Sequence, residues 1–224
     1  MTEAQLDIDG AVHLSGLVID ELERWHELTD RYFSLGKPGV RIVDDCALAS
    51  AVSELLRQPP LLEQLGAAQW RCVRAIAFDK VPEANWALGW HQDRTIAVTE
   101  KTEFSGYGPW SLKDGIAHVE PPFSLMDTLR TLRLHLDPVD DTNGALQAAR
   151  GSHRFGKVGD TEAGARAAAV PILSCRAEAG DGWLYATPIL HASSRSTSPA
   201  RRRVLHLEFS ANDLPPPLRW RGIG

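Results

Sequence analysis

Residues 86–93 read Trp86-Ala-Leu-Gly-Trp-His-Gln-Asp93, and the triplet that ends this stretch is the most informative feature of the chain. If the triplet at its end lies on a β-strand, His91 and Asp93 flank one residue and point to the same face, while Gln92 points to the other. An imidazole and a carboxylate that share one face of a rigid strand can reach a single metal ion. The triplet therefore predicts a metal site, but a His-x-Asp motif is common and needs support from elsewhere in the chain.

That support comes from His191, in the segment Ala186-Thr-Pro-Ile-Leu-His-Ala-Ser-Ser194. Pro188 ends one predicted strand and His191 opens the next, a position that suits a site at the mouth of a barrel. Two imidazoles and one carboxylate can occupy one face of an octahedral ferrous ion and leave its other positions open. The sequence therefore predicts a metal site whose three protein ligands leave room for a co-substrate and oxygen.

Length and composition indicate one ordinary globular domain. The chain has 224 residues, of which 43% are hydrophobic and 24% are charged, and this is enough to bury a full core. No apolar run could span a bilayer and the acidic N-terminus lacks a secretory signal, so we expect a cytoplasmic protein without a membrane partner. The formal net charge of −5 gives no general attraction for nucleic acids. Three cysteines without a CxxC pair indicate neither a disulfide framework nor a thiolate zinc site.

The periodicity of apolar residues changes near residue 70. Helices are predicted over 17–33, 46–57 and 60–67, packed outside a sheet. Strands are predicted over 72–78, 95–98, 131–136, 145–149, 172–175, 183–186 and 204–209. Residues 159–169 are predicted as an Ala-rich helix or a mobile loop, and residues 100–120 as an aromatic-bearing lid. We predict one mainly β (α+β) domain over 1–224, with a mostly helical part over 1–69 and a sandwich or barrel core over 70–210.

With these motifs, the sequence resembles the phytanoyl-CoA dioxygenase family of iron(II)- and 2-oxoglutarate-dependent oxygenases. The matching pieces are WHQD at 90–93, NGAL at 143–146, GSHR at 151–154, GDGWLYATPILHASS at 180–194 and RRRVLHLEFS at 201–210. The resemblance covers residues 70 to 210. It implies a double-stranded β-helix (a cupin-like jelly roll), Fe(II), 2-oxoglutarate as co-substrate, O2 and a small-molecule substrate.

The resemblance also implies roles for single residues. The iron ligands match His91, Asp93 and His191. Arg202 matches the arginine that binds the distal carboxylate of 2-oxoglutarate, and Ser193 matches a hydroxyl that assists it. A guanidinium suits this role because it can bind a carboxylate through two parallel hydrogen bonds.

The assignment of Arg202 depends on the strand register. Arg201 and Arg203 flank it, and neighbouring residues on a strand face opposite ways, so a slip of one residue would exchange their roles. Alternation places Arg202 with the polar residues His206 and Glu208, which favours a charged cavity on that side. The opposite assignment, with the apolar set inside, stays open.

Further residues are predicted to contact the substrate or the co-substrate. In the family the position that matches Arg133 faces the pocket and is often aromatic, so a cation here indicates a carboxylate-bearing substrate or an extra contact to the co-substrate. A surface arginine is an equally good interpretation. We also predict Lys80, Asn85, Trp90 and His135 in or near the pocket, although Trp90 also suits a core position.

These patterns predict a dioxygenase that hydroxylates a small molecule and releases succinate and CO2. Two other functions stay open. A zinc-dependent hydrolase could use the same three ligands to activate water. A cupin-like domain could bind a small molecule without turnover. Asp93 argues against halogenation, because the halogenases that resemble this family lack that carboxylate. The sequence carries no signal for an oligomeric state.

Overall fold

The computed structural model describes residues 5–33 and 37–224, and its strands form antiparallel sheets. The strands are β1 Ala11–Leu14, β2 Gly39–Ile42, β3 Arg71–Lys80, β4 Leu88–His91, β5 Ile96–Val98, β6 Trp110–Lys113, β7 Ile116–Val119, β8 Arg130–His135, β9 Leu146–Ala149, β10 Ile172–Cys175, β11 Gly182–Ala186, β12 His191–Ser193 and β13 Arg202–Ser210. The α-helices are α1 Leu6–Asp9, α2 Leu22–Thr29, α3 Cys46–Leu55, α4 Pro59–Leu65, α5 Phe123–Met126 and α6 Asp160–Ala168. None of the helices in these residues is long and apolar enough to cross a membrane.

The chain crosses several times between the two larger sheets. One sheet has six strands in the order β1-β11-β8-β13-β3-β2, and the other has four in the order β10-β9-β12-β4. From β8 onward the chain passes to the four-stranded sheet for β9 and β10, returns for β11, crosses again for β12 and returns for β13. This crossing pattern is that of a jelly roll, so the predicted fold class is confirmed.

The outer face of the six-stranded sheet is apolar and covered by the N-terminal helices. On β13, Leu205, Leu207 and Phe209 are fully buried, and they belong to the same core cluster as Trp25 of α2 and Leu48 of α3. Because side chains alternate along a strand, the residues between them face the interior of the jelly roll. The helices lie outside the sheet, as the sequence predicted.

Local signals explain where these helices begin and end. The Asp45 side chain accepts a hydrogen bond from the Leu48 amide and caps α3. Helix α4 begins at Pro59, whose fixed φ and missing N–H suit a first turn, and it ends at Gly66, whose φ is 72°.

The structure differs from the predicted secondary structure in the N-terminal part and in residues 100–120, and the helix predicted over 17–33 is the shorter α2. Residues 1–69 also contain β1 and β2, which form the two edges of the six-stranded sheet. Within 100–120, β6 and β7 form a hairpin that joins β5 in a third sheet with an apolar core of its own. This segment contributes no residue to the cavity described below, so the predicted lid is a packed hairpin instead. Residues 160–168 form α6, so the segment predicted as a helix or a mobile loop is a helix.

Helix α4 offers a matched test of this packing. Leu61 is 0% exposed in the apolar core, whereas its neighbour Leu62 is 43% exposed. We expect Leu61→Ala to lower the free energy of unfolding by about 2–5 kcal/mol, because it removes buried apolar surface and leaves a cavity. The control Leu62→Ala should change it by only about 0.5 kcal/mol. Chemical denaturation measures both, and equal losses would contradict this packing.

Candidate metal centre

His91, Asp93 and His191 come together between the sheets. His91 ends β4 and His191 opens β12, and the two are register partners across these strands. Their rings lie 4.3 Å apart between centroids. The Asp93 carboxylate lies 4.0 Å from Nε2 of His91 and 3.7 Å from Nε2 of His191. The predicted triplet strand is shorter than expected, because β4 ends at His91 and Asp93 belongs to the following link.

Both imidazoles are oriented for metal binding. Nδ1 of His91 lies 2.8 Å from the Gly89 carbonyl, and Nδ1 of His191 lies 2.9 Å from the Ile189 carbonyl. A carbonyl only accepts, so each Nδ1 donates and each Nε2 keeps a free lone pair directed at Asp93. Burial lowers the pKa of His191 to about 4, which keeps this ring neutral at neutral pH.

Asp93 stays ionised although it is partly buried. Burial alone would raise its pKa, but the positive charge of the nearby Arg74 guanidinium lowers the pKa below its ordinary value. Two neutral imidazoles and one carboxylate form a donor set that fits a ferrous ion and leaves other coordination positions open.

Gln92 faces away from the metal ligands, as the strand alternation predicted. Its amide nitrogen donates to the carbonyls of Pro188 at 2.8 Å and Gly156 at 3.0 Å, and its carbonyl accepts from the Val158 amide at 2.8 Å. Pro188 lies in the link that leads to His191. Gln92 therefore ties the segment that carries two of the ligands to the segment that carries the third.

A second set of possible metal ligands lies beside these three residues. Asp93, His206 and Glu208 also lie close enough to hold one ion. However, Glu208 is already paired with the buried guanidinium of Arg74, and it lies 3.2 Å from Nε2 of His206. An ion at this group would have to displace Arg74, so His91, Asp93 and His191 are the better candidate for the metal site.

A cavity opens beside the three ligands. Besides them it is lined by charged or polar and by apolar side chains: Arg74, Arg133, Ser193, Arg202 and His206, and Ile76, Phe78, Trp86, Leu88 and Leu146. Ser193 follows His191 by two residues on β12, so both face the cavity. Arg202 is 2% exposed, and its Nη1 donates to the Gly144 carbonyl, while its Nε has no hydrogen-bond partner among the described residues.

Arg201 and Arg203, which flank Arg202 in the sequence, face away from the cavity. Arg201 pairs with Asp79 through Nε at 2.9 Å and Nη2 at 2.8 Å. Arg203 pairs with Asp137 through Nε at 3.0 Å and Nη2 at 2.9 Å. Arg202 is therefore the member of the run that reaches the cavity, and it carries no carboxylate partner there among the described residues.

Three of the predicted pocket residues, Lys80, Asn85 and Trp90, are not part of the cavity lining. The Lys80 ammonium donates to the carbonyls of Trp86 at 2.9 Å and Ser194 at 2.7 Å. The Asn85 side chain exchanges two hydrogen bonds with the Ser196 backbone, both of 2.8 Å. Trp90 precedes His91 on β4 and so faces away from it, where it packs in the cluster that includes two alanines of α6. Strand alternation turns Trp90 away from the cavity, whereas hydrogen bonds to backbone groups hold the side chains of Lys80 and Asn85.

His135 lies deeper in the interior. It is 1% exposed, and neither ring nitrogen has a hydrogen-bond partner among the described residues. Burial, and then the neighbouring cations Arg133 and Arg202, hold its pKa well below the ordinary value. It is a neutral interior residue behind the cavity wall.

The sequence reasoning placed Trp86 near the site but missed Arg74, Ile76 and Phe78. Arg74 alternates on β3 with Ile76 and Phe78, and all three line the cavity. An arginine inside a run as apolar as Cys72–Phe78 was the signal for an inward-facing charge.

The comparison with protein families agrees with this geometry. The model of the family described as "Phytanoyl-CoA dioxygenase (PhyH)" matches residues 6–204. The chain belongs to the phytanoyl-CoA dioxygenase family. Enzymes of this family use Fe(II), 2-oxoglutarate and O2, the cofactor set that the sequence predicted. No curated protein matches the chain significantly.

Several solved structures share the fold at low sequence identity. SnoN, the non-heme α-ketoglutarate-dependent epimerase from nogalamycin biosynthesis, is 18% identical with a TM-score of 0.64, and the match covers 98% of this chain and 82% of SnoN. AviO1 from Streptomyces viridochromogenes Tue57 is 19% identical with a TM-score of 0.63, and the match covers 95% of this chain and 94% of AviO1. HygX from Streptomyces hygroscopicus, solved with nickel, 2-oxoglutarate and hygromycin B, is 14% identical with a TM-score of 0.59, and the match covers 92% of this chain and 84% of HygX.

The Arg74–Glu208 pair behind the ligands can be tested without any metal. We expect Glu208→Gln to lower the free energy of unfolding of the metal-free protein by about 3–5 kcal/mol, because it leaves a buried guanidinium uncompensated. The double variant Arg74→Met, Glu208→Leu should recover most of this loss, since apolar side chains of similar volume need no partner. Chemical denaturation of the three proteins measures the difference. A single variant as stable as the wild type would contradict the pairing.

Proposed function

We propose that this protein is an Fe(II)- and 2-oxoglutarate-dependent dioxygenase that hydroxylates a small molecule. The observation that carries the proposal is one cavity with two features on its walls: a two-histidine, one-carboxylate donor set and a buried arginine without an acidic partner among the described residues. Membership of the phytanoyl-CoA dioxygenase family supports the same class of enzyme. When bound, the metal and 2-oxoglutarate supply an oxidation by O2 that turns the substrate C–H into C–OH and releases succinate and CO2.

His91, Asp93 and His191 would hold the metal. Neutral imidazoles with free Nε2 lone pairs and an ionised carboxylate are the protonation states that binding requires. Asp93 supplies a negative charge where a halide would otherwise bind, which favours hydroxylation over halogenation.

Arg202 and Ser193 would hold 2-oxoglutarate. The Arg202 guanidinium is buried, keeps an unpartnered Nε and faces the cavity, so a carboxylate there would gain charge-assisted hydrogen bonds. The Ser193 hydroxyl lines the same cavity from β12 of the four-stranded sheet and can donate to the same group. This contact fixes the far end of the co-substrate and leaves its 2-oxo acid end for the metal.

The apolar side of the cavity would receive the substrate. Phe78, Trp86 and Leu88 contribute apolar surface beside the ligands. Surface of this kind excludes water from the reacting group and orients the substrate C–H bond toward the metal.

Product analysis tests the reaction type. A compound that the enzyme converts is incubated with it under labelled O2. Hydroxylation predicts a product that gains one labelled oxygen, with one succinate released for each product molecule. A product of unchanged mass formed with succinate release would indicate epimerisation, the reaction that the name of SnoN records. Turnover without 2-oxoglutarate would contradict the proposed class and favour a hydrolase.

Removing a ligand tests the metal site. Anaerobic addition of Fe(II) and 2-oxoglutarate should produce a metal-to-ligand charge-transfer absorption band in the wild type. We expect His191→Ala and Asp93→Ala to abolish this band, because each removes one of three ligands. The control His26→Ala, on α2 and outside the site, should keep it. A full band in both ligand variants would place the metal elsewhere.

Replacing single arginines tests the co-substrate site. We expect Arg202→Leu to weaken 2-oxoglutarate binding by about 10- to 100-fold, because a hydrogen bond to a charged group contributes about 1.5–3 kcal/mol. Titration of the anaerobic absorption band measures the affinity. Arg201→Leu and Arg203→Leu are the matched controls, since these arginines pair with carboxylates outside the cavity. If either control weakens binding as much as Arg202→Leu, the assignment is wrong.

A further inference from the structure

The cavity carries one positive charge more than the proposed occupants balance. Its lining contains three guanidiniums, from Arg74, Arg133 and Arg202, and one carboxylate, from Asp93. Glu208 compensates Arg74 from behind the wall. A divalent metal, a dianionic 2-oxoglutarate, Asp93 and Arg202 together sum to neutrality. Arg133 is left over.

Arg133 points into the cavity because of its place in the six-stranded sheet. It pairs in register with His206 on β13 and with Trp183 on β11. Register partners share a face, so Arg133 lies on the same inner face as His206, which also lines the cavity. Surface exposure, the alternative that the sequence left open, does not describe this residue, which is 8% exposed.

The guanidinium of Arg133 has few partners. Its Cζ lies 5.5 Å from the centre of the Phe78 ring, and its Nε is buried without a hydrogen-bond partner. Within residues 5–33 and 37–224, no carboxylate lies within salt-bridge distance of it. A buried charge without a partner is costly, so a site that keeps one is suited to an incoming anion.

Other cations surround Arg133 and add to the positive potential. Burial, and then the neighbouring guanidiniums of Arg202 and Arg133, lower the pKa of Lys80 to about 7. Burial and then Arg133 lower the pKa of Arg202 to about 9, which leaves Arg202 protonated at neutral pH. One dianionic co-substrate cannot neutralise this group of cations and the metal together.

We propose that Arg133 binds an anionic group of the substrate, and that the substrate is a small organic acid whose apolar body lies against Phe78, Trp86 and Leu88. The planar guanidinium can bind a carboxylate with two parallel hydrogen bonds, one of them from the unpartnered Nε. Leu88 is 44% exposed at the cavity, an apolar surface that a substrate body would cover. This inference rests on the proposed function, because the charge balance includes the metal and 2-oxoglutarate.

Matched acid and amide probes test the proposal. The wild type is loaded anaerobically with Fe(II) and 2-oxoglutarate, and the absorption band is followed while phenylacetate, phenylacetamide, indole-3-acetate or indole-3-acetamide is added. We expect at least one acid to perturb the band at a concentration about tenfold lower than its amide, because the two differ mainly in charge. Failure of the proposed function would appear earlier, as a band that never forms before a probe is added.

Variants of Arg133 assign the preference to this residue. Arg133→Leu should abolish the preference for the acid, and Arg133→Lys should retain part of it, since it keeps the charge without the planar fork. Thermal unfolding confirms that both variants fold. Arg166→Leu on α6 is the control for the loss of one charge, because Arg166 is exposed and does not line the cavity. It should keep the preference.

Three results would overturn the proposal. The first is the absence of an acid preference in both probe pairs in the wild type. The second is a preference that survives in Arg133→Leu. The third is a loss of 2-oxoglutarate affinity in Arg133→Leu as large as that of Arg202→Leu, which would assign Arg133 to the co-substrate instead.

Discussion

The alternation of side chains along β13 is the constraint on which the rest of the structure depends. A strand presents successive residues to opposite faces, and β13 lies inside the six-stranded sheet, where both faces are covered. Leu205, Leu207 and Phe209 fill the core under the helices, while Arg202 and His206 line the cavity. A slip of one residue would bury the charges under the helices and move the leucines into the cavity. The apolar core therefore fixes which arginine faces the site.

The inner face of the same sheet accepts charges because each has a use or a partner. Arg74 is neutralised by Glu208, whereas Arg201 and Arg203 face away from the cavity and pair with carboxylates there. What remains inside is a donor set for a cation and two guanidiniums without acidic partners in the described part of the chain. These two guanidiniums and the donor set lie in one cavity, and departures from the usual pairing of buried charges are typical of functional sites.

Much of this arrangement could be predicted from the sequence, because its signals are local. The His-x-Asp triplet, the segment around His191 and the apolar runs from Cys72 onward each contain their own periodicity, and the family model confirms the family they indicate. The edge strands β1 and β2 were missed because they are short and pair with strands far along the chain, at β11 and β3. Lys80 and Asn85 were placed in the pocket by proximity in sequence, whereas their hydrogen bonds to the segment at 194–196 hold them behind its wall.

We propose that one ion binds between His91, Asp93 and His191, and that 2-oxoglutarate reaches Arg202. Anomalous diffraction at the iron absorption edge, from crystals grown anaerobically with Fe(II) and 2-oxoglutarate, tests it most directly. We predict a single iron peak within bonding distance of Nε2 of both histidines and of the Asp93 carboxylate, with the distal carboxylate of 2-oxoglutarate on the Arg202 guanidinium. An iron peak at His206 and Glu208, or 2-oxoglutarate bound away from Arg202, would contradict the account.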